Sequence, residues 1–405
     1  MRDTSSSQNS RRAFLRASAL IGCSAAAWPL MTHVTLASAP GEDRLVVIIL
    51  RGAMDGLDVV RPVGDRAWAA LRGPSLNGNA PPLMLNDFFA LHPALGDLMP
   101  LWQAGELGFA HAVATPYRNK RSHFDGQDIL EAGTGLDVPD LRVRDGWLNR
   151  MLQSVPGIAA QTAFAVGRDE LKVIEGRAPY RSWAPDTRLV LSQQSRLLLE
   201  QVYHDDPLFR DAGDEAMDLA DQLGDDRAMS PQMMRKAANR ADQAAALAKF
   251  AAERMQQETR IAAFSISGWD SHRAQSGVLR RQLSGLSQAV LALKSGLGPL
   301  WKRTTVLAVT EFGRTARENG TGGTDHGTGG AMLMAGGAIR GGRVYGKWPG
   351  LDEADLYQRR DLMPTADVRL YPAWAMRAMY GLDRNVLQDK VFPGLNMGDD
   401  PRILL

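Results

Sequence analysis

A single cysteine, Cys23, stands in the whole chain, and it lies near the N-terminus. Removal of the first 39 residues leaves none. Disulfides, thiolate metal ligands and a cysteine nucleophile are then excluded, so any metal must be held by His, Asp and Glu. Histidine is scarce too, with seven in 405 residues. No apolar run of about 18 residues follows the leader, so no membrane span is expected. Charge excess is also missing, with 47 basic against 45 acidic residues. Four of the basic residues (Arg2, Arg11, Arg12, Arg16) and one acid (Asp3) fall in the first 39, so the remainder is close to neutral. Such a body offers no basic footprint for nucleic acid. The hydrophobic content of 44% is ordinary for a globular protein and sufficient for a large core.

The basic N-terminus has a pattern of its own. A polar arm precedes Arg11-Arg12, a mildly apolar run follows, and Ala37-Ser38-Ala39 offers small residues for cleavage. The stretch "SRRAFLR" resembles a twin-arginine export signal. Residues 1–39 are therefore expected to be a signal peptide handled by the twin-arginine machinery, which places the mature protein in the periplasm or outside the cell. Leu20-Ile21-Gly22-Cys23 also resembles a lipoprotein box, which makes anchoring at Cys23 the minor alternative.

From residue 40 onward the chain reads as one α/β domain. "RLVVIIL" from 44, "GFAHAVA" from 108, "TAFAVG" from 162, "IAAFSIS" from 261, "TTVLAV" from 304 and "AMLMA" from 331 are short, continuous apolar runs, the pattern of strands buried on both faces. Helical patterns alternate with them. Segment 92–107 has helical spacing. Segment 122–133 has Ser122 as N-cap and Gly133 as stop. Further helices are expected around 145–155, 274–297 and 366–382. About 193–259 is helical in pattern throughout and reads as an excursion from the sheet. The alternation predicts a mostly parallel sheet covered on both faces, a three-layer α/β/α sandwich.

In open α/β sheets ligands bind beyond the carboxyl ends of the strands. The first strand leads to Asp55. The strand from 261 leads to Asp270 and His272. The strand from 304 leads to Glu311 and Arg314. The glycine-rich loop "GTGGTDHGTGG" supplies Asp325 and His326. Carboxylates crowded together repel one another unless a cation lies between them. With histidines among them they suggest a nitrogen–oxygen site for a divalent metal, zinc first, with manganese or calcium as alternatives. Among the other histidines, His92 reads as a loop residue, His111 as a satisfied core histidine and His204 as part of a solvated helix. Asp367 and Arg369 read either as a helix-capping ion pair or as a far wall of the pocket.

The motifs "VIILRGAMDGLD", "RSHFDGQDILEAG", "GWDSH", "TEFGRT", "GTDHGTGGAMLMAGGAIRGG" and "PTADVR" together resemble the exported bacterial family called domain of unknown function 1501. That family looks like a branch of the alkaline phosphatase and sulfatase superfamily. The resemblance implies an alkaline phosphatase-like fold, a metal-dependent hydrolysis of small anionic phosphate or sulfate esters, and a set of roles. Asp55 matches an acidic metal ligand after the first strand. Ser122 matches a nucleophile at a helix N-terminus. Asp270, His272 and His326 match ligands of one metal. Glu311 and Asp325 complete the acidic set, and Arg314 or Arg121 is expected to bind the transferred group.

The sequence departs from that pattern in places. Glu311-Phe312-Gly313 stands where the superfamily has Asp-His-Gly, so one histidine ligand is missing and His123 is a candidate to replace it or to shuttle a proton. One ion or two stays open. The alternative function is a non-catalytic periplasmic binding or assembly module built on a degenerate site.

Overall fold

The computed structural model describes residues 41–77, 82–140, 142–155, 163–166, 171–183 and 240–405. The expected signal peptide, Cys23, His204 and most of the 193–259 excursion lie outside these residues.

The strands are β1 (Arg44–Arg51), β2 (Val60–Arg61), β3 (Leu83–Met84), β4 (Ala90–Leu91), β5 (Leu107–Ala114), β6 (Ala163–Val166), β7 (Arg181–Trp183), β8 (Ile261–Ser267), β9 (Thr304–Val309), β10 (Gly330–Ala335), β11 (Arg343–Tyr345) and β12 (Ala366–Asp367). The main sheet runs β11-β5-β10-β9-β1-β8-β6-β7, with β12 pairing β5 beyond β11. Strands β2, β4 and β3 form a small separate sheet. Among the described residues the α-helices are α1 (Gly56–Val59), α2 (Arg66–Asn77), α3 (Met99–Gln103), α4 (His123–Ala132), α5 (Trp147–Ser154), α6 (Arg240–Met255), α7 (Gln275–Leu297), α8 (Leu370–Tyr380) and the single turn α9 (Arg384–Val386).

Side chains alternate across a strand, so β1 shows how many layers there are. Val46, Ile48 and Leu50 belong to a core that includes Ala244, Ala248 and Ala252 of α6 and Leu279, Leu283 and Leu286 of α7. Leu45, Val47 and Ile49 belong to a second core with Leu148 and Met151 of α5 and Tyr371 and Met376 of α8. Both faces of the sheet are therefore covered, as an α/β/α sandwich requires. Alanines on α6 allow a close approach to α7. A Cβ on Gly296 would stand 2.6 Å from that of Ala252.

Most of the expected elements form. The 92–107 segment is tighter than expected, a 3-10 turn (Pro93–Leu98) running into the short α3. Pro93 and Pro100 sit in the first turns of these two pieces, where a missing N–H costs nothing. His92 caps the first piece by accepting from the N–H of Ala94. His111 is buried and satisfied, with Nε2 against the Val60 carbonyl and Nδ1 against the Ala112 N–H.

Strand β10 is antiparallel to both β9 and β5, whereas β1 is parallel to β8 and β9. The start of β10 therefore lies at the same sheet edge as the ends of β1, β8 and β9. In an all-parallel sheet the loop before β10 would have emerged at the opposite edge.

Candidate metal centre

Helix α4 begins at this edge. Ser122 caps it, its Oγ accepting from the Asp125 N–H at 3.4 Å, and Gly133 ends it in the left-handed region at φ 63°. His123, Gln127 and Glu131 are four residues apart and so form one stripe of the helix. His123 Nδ1 lies 2.8 Å from Glu311 Oε1. Gln127 donates to the same oxygen at 3.2 Å. The Gly52 N–H donates to it at 2.8 Å, while Thr310 Oγ1 donates to Oε2 at 2.9 Å. Glu311 is fully buried. Burial raises its pKa, but the hydrogen bonds from His123, the backbone and Gln127 outweigh that and hold it below the ordinary carboxylate value. Glu311 in turn raises the pKa of His123, mainly through their hydrogen bond.

The exit of β8 carries Asp270 and His272. Gly52, at φ 119°, lets the exit of β1 pass against this loop; a Cβ there would stand 2.6 Å from the Asp270 nitrogen. The glycine-rich loop closes the other side for the same reason. A Cβ on Gly313 would lie 1.8 Å from the Gly329 oxygen, and one on Gly323 would lie 2.4 Å from the His272 backbone. Backbone packs directly on backbone, and His326 is delivered to the centre.

Three imidazoles and one carboxylate meet there. His272 Nε2 lies 2.9 Å from His326 Nε2 and 3.1 Å from Asp270 Oδ1. His326 Nε2 lies 3.5 Å from Asp270 Oδ1, and His123 Nε2 lies 3.5 Å from Asp270 Oδ2. One ligand atom each from His123, Asp270 and His326 lies within 4.8 Å of the others.

The outer nitrogens orient the rings and, for His123 and His326, set the tautomer. Nδ1 of His326 faces the Arg121 carbonyl at 2.7 Å, and Nδ1 of His272 faces Asp325 Oδ1 at 3.2 Å. Nδ1 of His123 faces Glu311. With the hydrogen on Nδ1, the Nε2 of neutral His123 and of neutral His326 is a lone pair turned inward, that of His123 buried without a hydrogen-bond partner. His272 faces a carboxylate from both nitrogens, and its Nε2, 2.9 Å from His326 Nε2 and 3.1 Å from Asp270 Oδ1, can turn a hydrogen toward them or, with a cation bound, a lone pair. Metal-bound histidines typically donate their second nitrogen to a carboxylate or carbonyl in this way. The donor set fits a borderline divalent ion.

Several expected residues hold other places. Asp55 is not among the inward-facing groups. It is fully buried, with its carboxylate paired to Arg72 and accepting from Gln275 Nε2 at 2.6 Å and from the Leu57 N–H at 3.1 Å, so its lone pairs are committed. Burial raises its pKa, but the charge of Arg72 outweighs this and the net shift is downward. Glu311 and Asp325 stand one step out, each orienting a histidine rather than facing the centre. Arg314 is buried and donates to the carbonyls of Ala53, Gly52 and Thr324 and to Asp270 Oδ1 at 2.6 Å. Buried and engaged through Nε, Nη1 and Nη2, it ties the loops together rather than opening toward a transferred group. Burial raises the Asp270 pKa, but Arg314 outweighs it and keeps the carboxylate ionised. Arg121 is less committed. Its Nη2 lies 3.5 Å from both Gln358 Oε1 and Asp361 Oδ2, and its Nε has no hydrogen-bond partner. Asp367 and Arg369 form an ion pair at 2.7 Å at the start of α8, and Arg369 also donates to the Gly133 carbonyl at the end of α4.

Gln127 and Thr310, which hold Glu311, were not singled out from the sequence. The spacing of Gln127 from His123 was the available signal.

The family profile described as "Protein of unknown function (DUF1501)" matches residues 42–379. The chain belongs to this family. No curated protein matches it. Solved structures similar to it include the lipoteichoic acid synthase LtaP from Listeria monocytogenes, with 9% identity, 91% of this chain and 78% of that one covered, and a TM-score of 0.42. Another is the C-terminal periplasmic domain of EptC from Escherichia coli in complex with Zn, with 9% identity, 74% of each chain and a TM-score of 0.34. A third is a protein in the alkaline phosphatase superfamily from Vibrio parahaemolyticus, with 12% identity, 74% and 62% coverage and a TM-score of 0.34. Among the described residues no helix is long and apolar enough to cross a membrane.

Proposed function

We propose that this DUF1501 protein is an exported hydrolase of phosphate or sulfate esters that works with one divalent ion, zinc by preference, held by His123, Asp270, His272 and His326. The observation that carries the reading is the inward convergence of three imidazole Nε2 atoms beside a carboxylate, each ring held from outside by an acceptor. A bound divalent ion supplies Lewis acidity toward an ester oxygen. The protein's own groups supply the rest. Arg121, whose side chain is partly exposed, grips the anionic oxygens of the transferred group in place of Arg314. Ser122 lies at a helix N-terminus, where the peptide dipoles favour negative charge, and is the proposed nucleophile. Over the whole reaction the bond to the leaving oxygen breaks. Water supplies hydroxide to phosphorus or sulfur and a proton to the leaving alcohol.

The test is metal analysis of the purified mature protein, zinc titration, and a panel of aryl phosphates and aryl sulfates. One zinc per chain is expected, with turnover on one of the two ester classes and loss of both zinc and activity in His326→Ala. A protein that takes up no zinc or manganese and turns over neither class would overturn the proposal.

A further inference from the structure

Phe124 follows His123 directly, and its side chain is 89% exposed. A lone exposed ring is ordinary on a protein surface, but this one stands beside the metal centre and in the wall of a cleft, where a bound ring can stack on it. Phe124 lines a cleft of about 670 Å³ at the carboxyl edge of the sheet. Arg51 and Ser267, the paired last residues of β1 and β8, form part of its wall. Gln127 lines the same cleft and donates to Glu311 at the very oxygen that holds His123. The cleft and the metal centre therefore share a wall.

The charges of the cleft say what fits it. Arg51 is paired with Glu131 at 2.8 Å, and Lys172 is paired with Asp128. Glu175 adds a third carboxylate. Two bases facing three acids leave no spare positive charge for an anion. They do offer donors and acceptors of both kinds around an apolar ring face. A neutral, polyhydroxylated ring has the matching chemistry, with hydroxyls at its rim and C–H groups on its face.

We infer that this cleft receives the leaving-group side of the substrate, and that this group is a neutral sugar-like ring seated on Phe124. The inference rests on the hydrolase reading for the words "leaving group", but not for the binding itself. The anionic end lies toward His123 and Arg121, and the ring lies along α4.

The experiment is saturation-transfer NMR and calorimetric titration with methyl glucoside, galactoside and mannoside and with their phenyl counterparts. It uses the full mature chain, with and without zinc. Wild type is expected to bind at least one phenyl glycoside with or without zinc, and His326→Ala is expected to bind it equally well. Phe124→Ala should lose about tenfold in affinity, the scale of one aromatic stacking contact, and Phe124→Trp should retain binding. Circular dichroism of the variants checks that α4 persists. Binding by a zinc-loaded wild-type protein that turns over neither ester class would sink the enzymatic reading and leave the ring site standing. No glycoside binding by wild type, or equal binding by Phe124→Ala, would overturn the ring site whatever the activity.

Discussion

His123 illustrates how much a single side chain depends on its neighbours here. On its own it is a histidine in the first turn of a helix. Glu311 gives it a fixed tautomer and, with Phe312 stacked at 5.2 Å between ring centroids, a fixed plane. Outer partners of this kind typically govern metal affinity by 10–100-fold. Glu311→Gln should therefore weaken zinc binding by about that factor without unfolding the protein, because the amide oxygen still accepts from the Gly52 N–H and the Thr310 hydroxyl, which also reaches the Leu50 carbonyl, can accept from the amide NH2. Competition with a chromophoric chelator measures it. Unchanged affinity would mean that His123 is not a ligand. Asp55 teaches the opposite lesson. A conspicuous acid after the first strand proves to be half of a buried ion pair, held by Arg72 from α2 and by Gln275 from α7.

At the scale of the element, α4 does two things with one terminus. Its cap is a hydroxyl, and a cap is worth about 1 kcal/mol. Ser122→Asp keeps the cap and removes the hydroxyl, whereas Ser122→Ala removes both. If Ser122 is the nucleophile, both variants should lose turnover, while only Ser122→Ala should lose about 1 kcal/mol of stability in urea titration. Turnover by Ser122→Asp at the wild-type rate would rule out a serine-bound intermediate and point to direct attack by water. The glycine-rich loop is also an element in its own right. Its glycines let backbone lie against backbone, and that contact, more than flexibility, explains their number between Glu311 and β10.

Across the whole molecule, burial couples stability to pH. Desolvation lowers the pKa of both His92 and His111 to about 4, from 6.5 when exposed. The unfolded chain takes up these protons near pH 6.5, and the folded chain only near pH 4. The stabilising contribution is therefore complete above pH 6.5 and is lost as pH falls toward 4. Each site accounts for up to about 3 kcal/mol. In zinc-free protein the melting temperature should fall steeply over this window, and the fall should be shallower in His111→Gln. Equal slopes in the two proteins would show that His111 does not contribute.

The sequence alone marked six apolar strands of the main sheet (β1, β5, β6, β8, β9 and β10), because short continuous β-branched and leucine runs fit a sheet covered on both faces, whereas the short strands β2, β3, β4, β7, β11 and β12 carry no such run. It also determined the limits of α4, because Ser122 and Gly133 are local signals that act through their own backbone. The residues of the centre, Asp270, His272 and His326, were legible as types at strand ends. Their meeting was decided by tertiary structure. Only the antiparallel entry of β10 carries His326 to the edge where β8 ends, and strand direction depends on pairing with distant neighbours rather than on local sequence. The same holds for Asp55, Glu311 and Arg314. Whether a charged side chain faces a metal or a partner is set by which oppositely charged or ionisable group the fold places beside it, and that group lies, in these cases, 17, 188 and 44 residues away.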